Sequence, residues 1–99
     1  MAYQVVWSQT AVEDLRQIVQ FIALDDAVAA ASLADRILNR IEQASEFPFS
    51  NRAVPEKSEE SIREVILRPY RIVYQVDSRR DAIHVLRIWH GARGGPDLE

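Results

Sequence analysis

The sequence predicts an α+β fold in the order β-α-α-β-β-β, with an N-terminal strand and an antiparallel helical hairpin packed on a mainly antiparallel four-stranded sheet. Three observations predict it: a short alternating stretch from Tyr3 to Trp7, two consecutive amphipathic segments after it, and three apolar runs between Ile62 and His90 joined by short polar links. Ninety-nine residues with 47% hydrophobic content suit one domain, residues 1–99. A chain of that length buries about 65% of its unfolded surface without a metal or disulfide.

Taken in order, Tyr3, Val5 and Trp7 share one face of the first strand and Gln4 and Val6 the other. Thr10 and Glu13 have capping-box spacing and are expected to start the first helix. Ala11, Leu15, Ile18, Val19 and Ile22 follow at helical spacing, with Glu13, Arg16, Gln17 and Gln20 on the solvated side. Asp25-Asp26 breaks the pattern and offers a carboxylate cap to a second helix. Its inward stripe is Ala30, Leu33, Ala34, Ile37, Leu38, Ile41 and Ala44. Two such helices with a tight link predict a hairpin whose stripes are core. Phe47-Pro48-Phe49 ends the second helix, because proline lacks an N–H and disfavours helical geometry in the residue before it. Asn51 is expected in a left-handed turn, and residues 55–61 in a solvated loop.

Ile62–Leu67, Arg71–Asp77 and Ala82–His90 read as a meander of antiparallel strands. Alternation places Arg71, Val73 and Gln75 opposite Ile72, Tyr74 and Val76, and Ile83, Val85, Arg87 and Trp89 opposite His84, Leu86, Ile88 and His90. One sheet face takes the hairpin; the other stays partly open to water or a partner.

The net charge of −3 hides an asymmetry. Residues 1–61 hold five basic and ten acidic side chains, whereas residues 62–99 hold seven arginines and five acids. The chain as a whole lacks the broad positive field of a protein that lives on nucleic-acid backbone. With no cysteine, disulfides, thiol nucleophiles and thiolate metal sites are excluded, which fits a reducing compartment. No stretch is long and apolar enough for a membrane span, and the N-terminus lacks signal-peptide organisation, so a cytoplasmic protein with no membrane partner is expected. There is no Gly-rich phosphate loop. His84 and His90, six apart on one face, stand roughly 20 Å apart by strand rise, too far to share a metal. No metal and no cofactor are expected. The remaining chemistry lies in Arg63, Arg71, Arg87, His90 and Arg93. Arginine forks bind phosphate well, and an arginine beside a histidine can serve phosphoryl-transfer chemistry on RNA, with the histidine as acid or base. The plainer alternative is surface arginines paired with Glu64, Asp77 and Asp81.

The combination of Ser8, Ala11, Asp14-Leu15, Ile18, Ala30, Arg36-Ile37, Ile41, Phe47-Pro48, Arg52, Ile62-Arg63-Glu64, Tyr70-Arg71-Ile72-Val73-Tyr74 and His90-Gly91-Ala92-Arg93 resembles the ParE/RelE superfamily of toxins from bacterial type II toxin-antitoxin modules. The resemblance covers nearly the full length, with Asn51 where the family usually has glycine. It implies the same β-α-α-β-β-β fold and a cognate antitoxin, in a toxin-antitoxin hetero-oligomer. Two activities occur in the superfamily. RelE-like members cleave mRNA on the ribosome, and under that reading Arg71, His90 and Arg93 are the catalytic candidates. ParE-like members inhibit DNA gyrase by binding, with no chemistry of their own, and Arg63, Arg71, Arg87 and Arg93 are then partner-binding residues. A single lysine, Lys57, the negative net charge and the absence of a tyrosine after Arg93 favour the ParE-like branch. A member that only binds antitoxin is the third expectation.

Overall fold

The computed structural model describes residues 2–98. Its elements follow the predicted order: β1 (Gln4–Trp7), α1 (Gln9–Ala23), α2 (Ala27–Glu46), β2 (Ile62–Leu67), β3 (Tyr70–Asp77), β4 (Ala82–His90) and a short 3-10 turn η1 (Gly91–Arg93). The sheet order is β1-β4-β3-β2. β2, β3 and β4 form the antiparallel meander, and β1 pairs parallel with β4, an arrangement the intervening helical hairpin makes possible as a crossover.

Ser8, not Thr10, caps α1. Its backbone is still extended, and its N–H donates to Val85 O at 3.0 Å as the last rung beside β4. The hydroxyl accepts from Ala11 N at 3.0 Å and donates to Leu86 O at 3.1 Å. The strand thus turns directly into the helix, leaving no room for a cap two residues later. Glu13, freed from any capping role, binds Arg16 and Gln17 on the helix surface. Asp26 caps α2 as expected, accepting from Ala29 N at 3.0 Å.

The main core joins Ala11, Ile37, Ile41 and Ala44 of the helices to Val65, Leu67, Ile72, Tyr74, Val76, Ile83, Val85 and Ile88 of the sheet. Leu15, Ile18 and Leu33 pack at its margin, together with Tyr3, Val5 and Trp7 from the first strand's predicted inner face. Leu38, expected in the stripe, is exposed. It follows Ile37 by 100° around the helix, which carries it out of the groove between α1 and the sheet. A second, smaller core of Val54, Ile62 and Val73, with Leu86 and Leu98 against it, lies on the other side of the sheet. That outer face is therefore partly covered by the chain's own loop and C-terminal tail.

Strict alternation fails in β4. Tyr74 pairs with Val85 and Val73 with Arg87, so Leu86 is an extra, bulged residue. Because side chains alternate with a period of two, the bulge exchanges the faces of everything after it. Ile88 joins Ile83 and Val85 on the helix side. By register, Arg87 and Trp89 fall on the side of Val73 and Arg71, and His90 on the side of Tyr70. The grouping of Ile83 and Val85 with Arg87 and Trp89 is thus corrected, and the two histidines lie on opposite faces. Asn51 does not adopt the left-handed conformation; among the described residues the non-glycine with positive φ is Asp81, at 48° in the β3–β4 turn. The amide of Asn51 has another task, donating to Tyr74 Oη at 3.1 Å.

Candidate functional site

The loop of residues 52–61 runs beside the start of β2, where Ala53 bridges Arg63, the β2–β3 connection seats η1 at the other end of that strand, and the arginines are spread between them. Arg71, on the outer side of β3, is only 12% exposed. Its Nε donates to Glu64 Oε1 at 2.6 Å, while NH1 and NH2 grip Glu56 bidentately at 2.9 and 2.6 Å. Glu64, in β2, has a side chain with no exposure and also receives Arg52. Glu56 stands on the turn that follows the buried Val54, closed by Lys57 N donating to Val54 O at 3.1 Å. The Arg71 fork holds the Glu56 carboxyl well below its ordinary range, at about 2, and the two carboxylates raise the Arg71 guanidinium further above its own.

Arg87 is held as firmly. Its Nε and NH2 donate to Asp14 at 2.8 and 3.0 Å, and Asp14 also accepts from Ile88 N at 3.0 Å. Asp14 thereby satisfies the edge of β4 just where β1 has ended, and the hydrogen-bonded carboxylate raises the Arg87 pKa. NH1 of Arg87 reaches Asp97 O at 2.9 Å in the tail. Arg63 serves the backbone: it donates to Glu60 O at 2.6 Å and Asn51 O at 3.0 Å, with its guanidinium 4.8 Å from the Phe49 ring centre. Tyr74 Oη completes this turn by donating to Pro48 O at 2.6 Å, and burial pushes its pKa up.

Arg93 differs. It forms no ion pair among the described residues, is exposed, and lies 4.4 Å from the Trp89 ring centre, on which Arg87 also rests at 4.8 Å. His90 packs edge-on against Tyr70, and its Nδ1 accepts from Ala92 N at 3.1 Å. That bond requires an unprotonated Nδ1 and leaves Nε2 as the proton-bearing nitrogen of the neutral ring. Gly91 N donates to Pro69 O at 2.7 Å, and a Cβ there would meet that oxygen at 3.1 Å. The glycine of the His-Gly-Ala-Arg run therefore lets η1 seat closely on the β2–β3 turn.

Two clefts flank His90. One, of about 470 Å³, is lined by Arg52, Arg68, Arg71, Tyr70 and His90, among others. The other, also about 470 Å³, is lined by Arg93, His90, Tyr70 and the α1 residues Asp14, Ile18, Phe21 and Ile22. The structure thus brings His90 together with Arg71 in one cleft and with Arg93 in another, but Arg71 and Arg93 do not line a common cleft. Sequence reasoning missed Glu56 and Asp14. Asp14 had left a signal: it lies between Ala11 and Ile18 on the apolar side of α1, where a carboxylate requires a cation. Glu56, in a run of loop acids, had left none.

A family model for the ParE toxin of the type II toxin-antitoxin system, parDE, matches residues 5–94. The chain belongs to the ParE toxin family. Toxin RelE2 of Caulobacter vibrioides is 33% identical to it over 91 residues, which cover 91% of this chain and 97% of that relative. Among solved structures, the chromosomal ParDE toxin-antitoxin system from P. aeruginosa aligns with a TM-score of 0.71 at 18% identity, over 90% of this chain and 96% of that one. A variant of E. coli toxin RelE in the free state gives 0.64 at 18% identity, over 95% and 88% respectively. At such identities these two share the fold. Family and fold together place this ParE-family protein among the type II toxins of the ParE/RelE superfamily.

Proposed function

We propose that this toxin inhibits DNA gyrase by binding, without chemistry of its own, and that a cognate antitoxin neutralises it. The observation that carries this reading is the state of Arg71. An arginine needed to stabilise a phosphoryl transition state must present its fork to the substrate, and here Nε is held by the enclosed Glu64 while Glu56 occupies the rest of the fork, so a polyanion would have to displace a carboxylate to reach it. Arg87 is likewise filled by Asp14. Arg71 and Arg87, on one side of the sheet, then shape a partner-binding face, and Arg93, exposed over Trp89, is a direct contact; Arg63, which falls on the helix side with Tyr74, holds the turn after α2 instead. The relation to the ParE family favours the same branch. Gyrase and antitoxin both act in the cytoplasm, and among the described residues no helix is long and apolar enough to cross a membrane.

A second reading, a ribosome-dependent mRNA endoribonuclease, is favoured by the curated relative named RelE2 and by the cleft that Arg52, Arg68 and Arg71 line together with His90. Purified toxin added to gyrase supercoiling reactions separates the two. Inhibition that Arg93→Ala weakens about tenfold is expected, since a central arginine contact contributes about 1.4 kcal/mol or more. Full supercoiling activity alongside cleavage of ribosome-bound mRNA rejects the gyrase reading. Failure of induced expression to arrest growth points to a member that only binds antitoxin.

A further inference from the structure

Of the two carboxylates on Arg71, one is permanent and one is replaceable. Glu64 is fully enclosed in the sheet, whereas the Glu56 side chain is 41% exposed on a turn that belongs to no helix or strand. The tail lies against it: a Cβ on Gly95 would stand 3.0 Å from Glu56 Cγ, so the absence of a side chain at Gly95 gives the tail its place there. The same cleft holds Arg52, which already serves Glu64 but is largely exposed, and Arg68, which forms no ion pair among the described residues. Without Glu56, the three guanidiniums that line this cleft are left with one buried counter-ion, Glu64, which binds Arg52 and Arg71.

We propose that Glu56 is a built-in stand-in for an acidic partner segment: the Arg71 fork is a carboxylate-binding site filled by the toxin's own loop, and a partner engages it by displacing Glu56. This rests on the reading of the arginine face as a partner surface. A tethered carboxylate competes at high effective concentration, so a single free acid does not dislodge it. A run of acids does, because its further carboxylates meet Arg68 and Arg52 in the same cleft. The occupant in place is a peptide carboxylate, followed by Glu59 and Glu60 in the same loop, and the chain's net charge of −3 works against a polynucleotide. The favoured ligand is therefore an acidic peptide segment rather than RNA.

Fluorescein-labelled hexaglutamate and hexauridylate, titrated by anisotropy against the full chain at low salt, test the proposal. Glu56→Gln is expected to bind hexaglutamate about tenfold tighter than wild type, against less than about twofold for the charge-matched control Glu59→Gln. The double variant Glu56→Gln/Arg71→Gln loses the gain. In the unaltered protein, saturating hexaglutamate should speed hydrogen exchange of the amides in residues 56–61, a readout that needs no variant to fold. A Glu56→Gln affinity no greater than that of Glu59→Gln, an equal gain for hexauridylate, or unchanged loop exchange at saturation overturns it. Gyrase inhibition is a separate readout: its absence rejects the proposed target alone, and its presence with unchanged peptide affinity rejects the Glu56 site alone.

Discussion

At the residue scale, Glu64 carries more than its place in an alternating strand suggests. Its carboxylate is fully enclosed and serves two guanidiniums, Arg52 and Arg71. Replacing it with glutamine removes the charge but leaves Arg71, itself nearly enclosed, short of a counter-ion. Breaking a buried pair from one side costs about 3 kcal/mol, so Glu64→Gln is expected to lower the free energy of unfolding in urea by about that amount. Glu56→Gln, at a partly exposed group, should cost about 1 kcal/mol or less. If the two variants are equally stable, the enclosed carboxylate is not the anchor of the network. The burial of Glu64 was not legible in the sequence. Its enclosure depends on the fold-back of the loop through Val54 over its side of the sheet, a contact that no local pattern announces.

At the scale of elements, most of the design could be read directly. Helical spacing located both helices, proline stopped the second, and the polar links divided the meander, because each of these is a local property of the backbone. The start of α1 was harder. A capping box at Thr10 and Glu13 was chemically sound, yet Ser8 wins because it joins the sheet and the helix at once. Ser8→Ala is therefore expected to cost about 1–2 kcal/mol, through the lost cap and the lost bond to Leu86 O, while Thr10→Ala stays within about 0.5 kcal/mol. Thermal unfolding of the two variants checks this, and the reverse order would return the cap to Thr10. The β4 bulge went unread because a single unpaired residue disturbs periodicity only from that point on. The adjacent apolar pairs Val85-Leu86 and Ile88-Trp89 were its trace.

For the whole molecule, composition showed a basic C-terminal third but not which of its charges were already engaged. Arg71 and Arg87 are neutralised by Glu56, Glu64 and Asp14, so the positive field is much weaker than the count of arginines implies. The network also sets the acid response. Glu56 has a folded-state pKa depressed from 4.5 to about 2, so the unfolded chain binds more protons across that interval. Its contribution is present above the unfolded pKa and is lost as pH falls toward about 2. Tm should decline between about pH 5 and pH 2, and Glu56→Gln should make that decline shallower; identical slopes would count against the Arg71 fork as the cause. The sheet order has a consequence for how the toxin comes into being. Among the described residues β1 finds its strand partner in β4, and Ser8 bonds Leu86 across 78 residues. A nascent chain short of Ala82 lacks the strand on which β1 pairs, so closure of the sheet waits until β4 has been made. A chain terminated before β4 lacks the strand that joins β1 to the meander and carries Arg87 and His90.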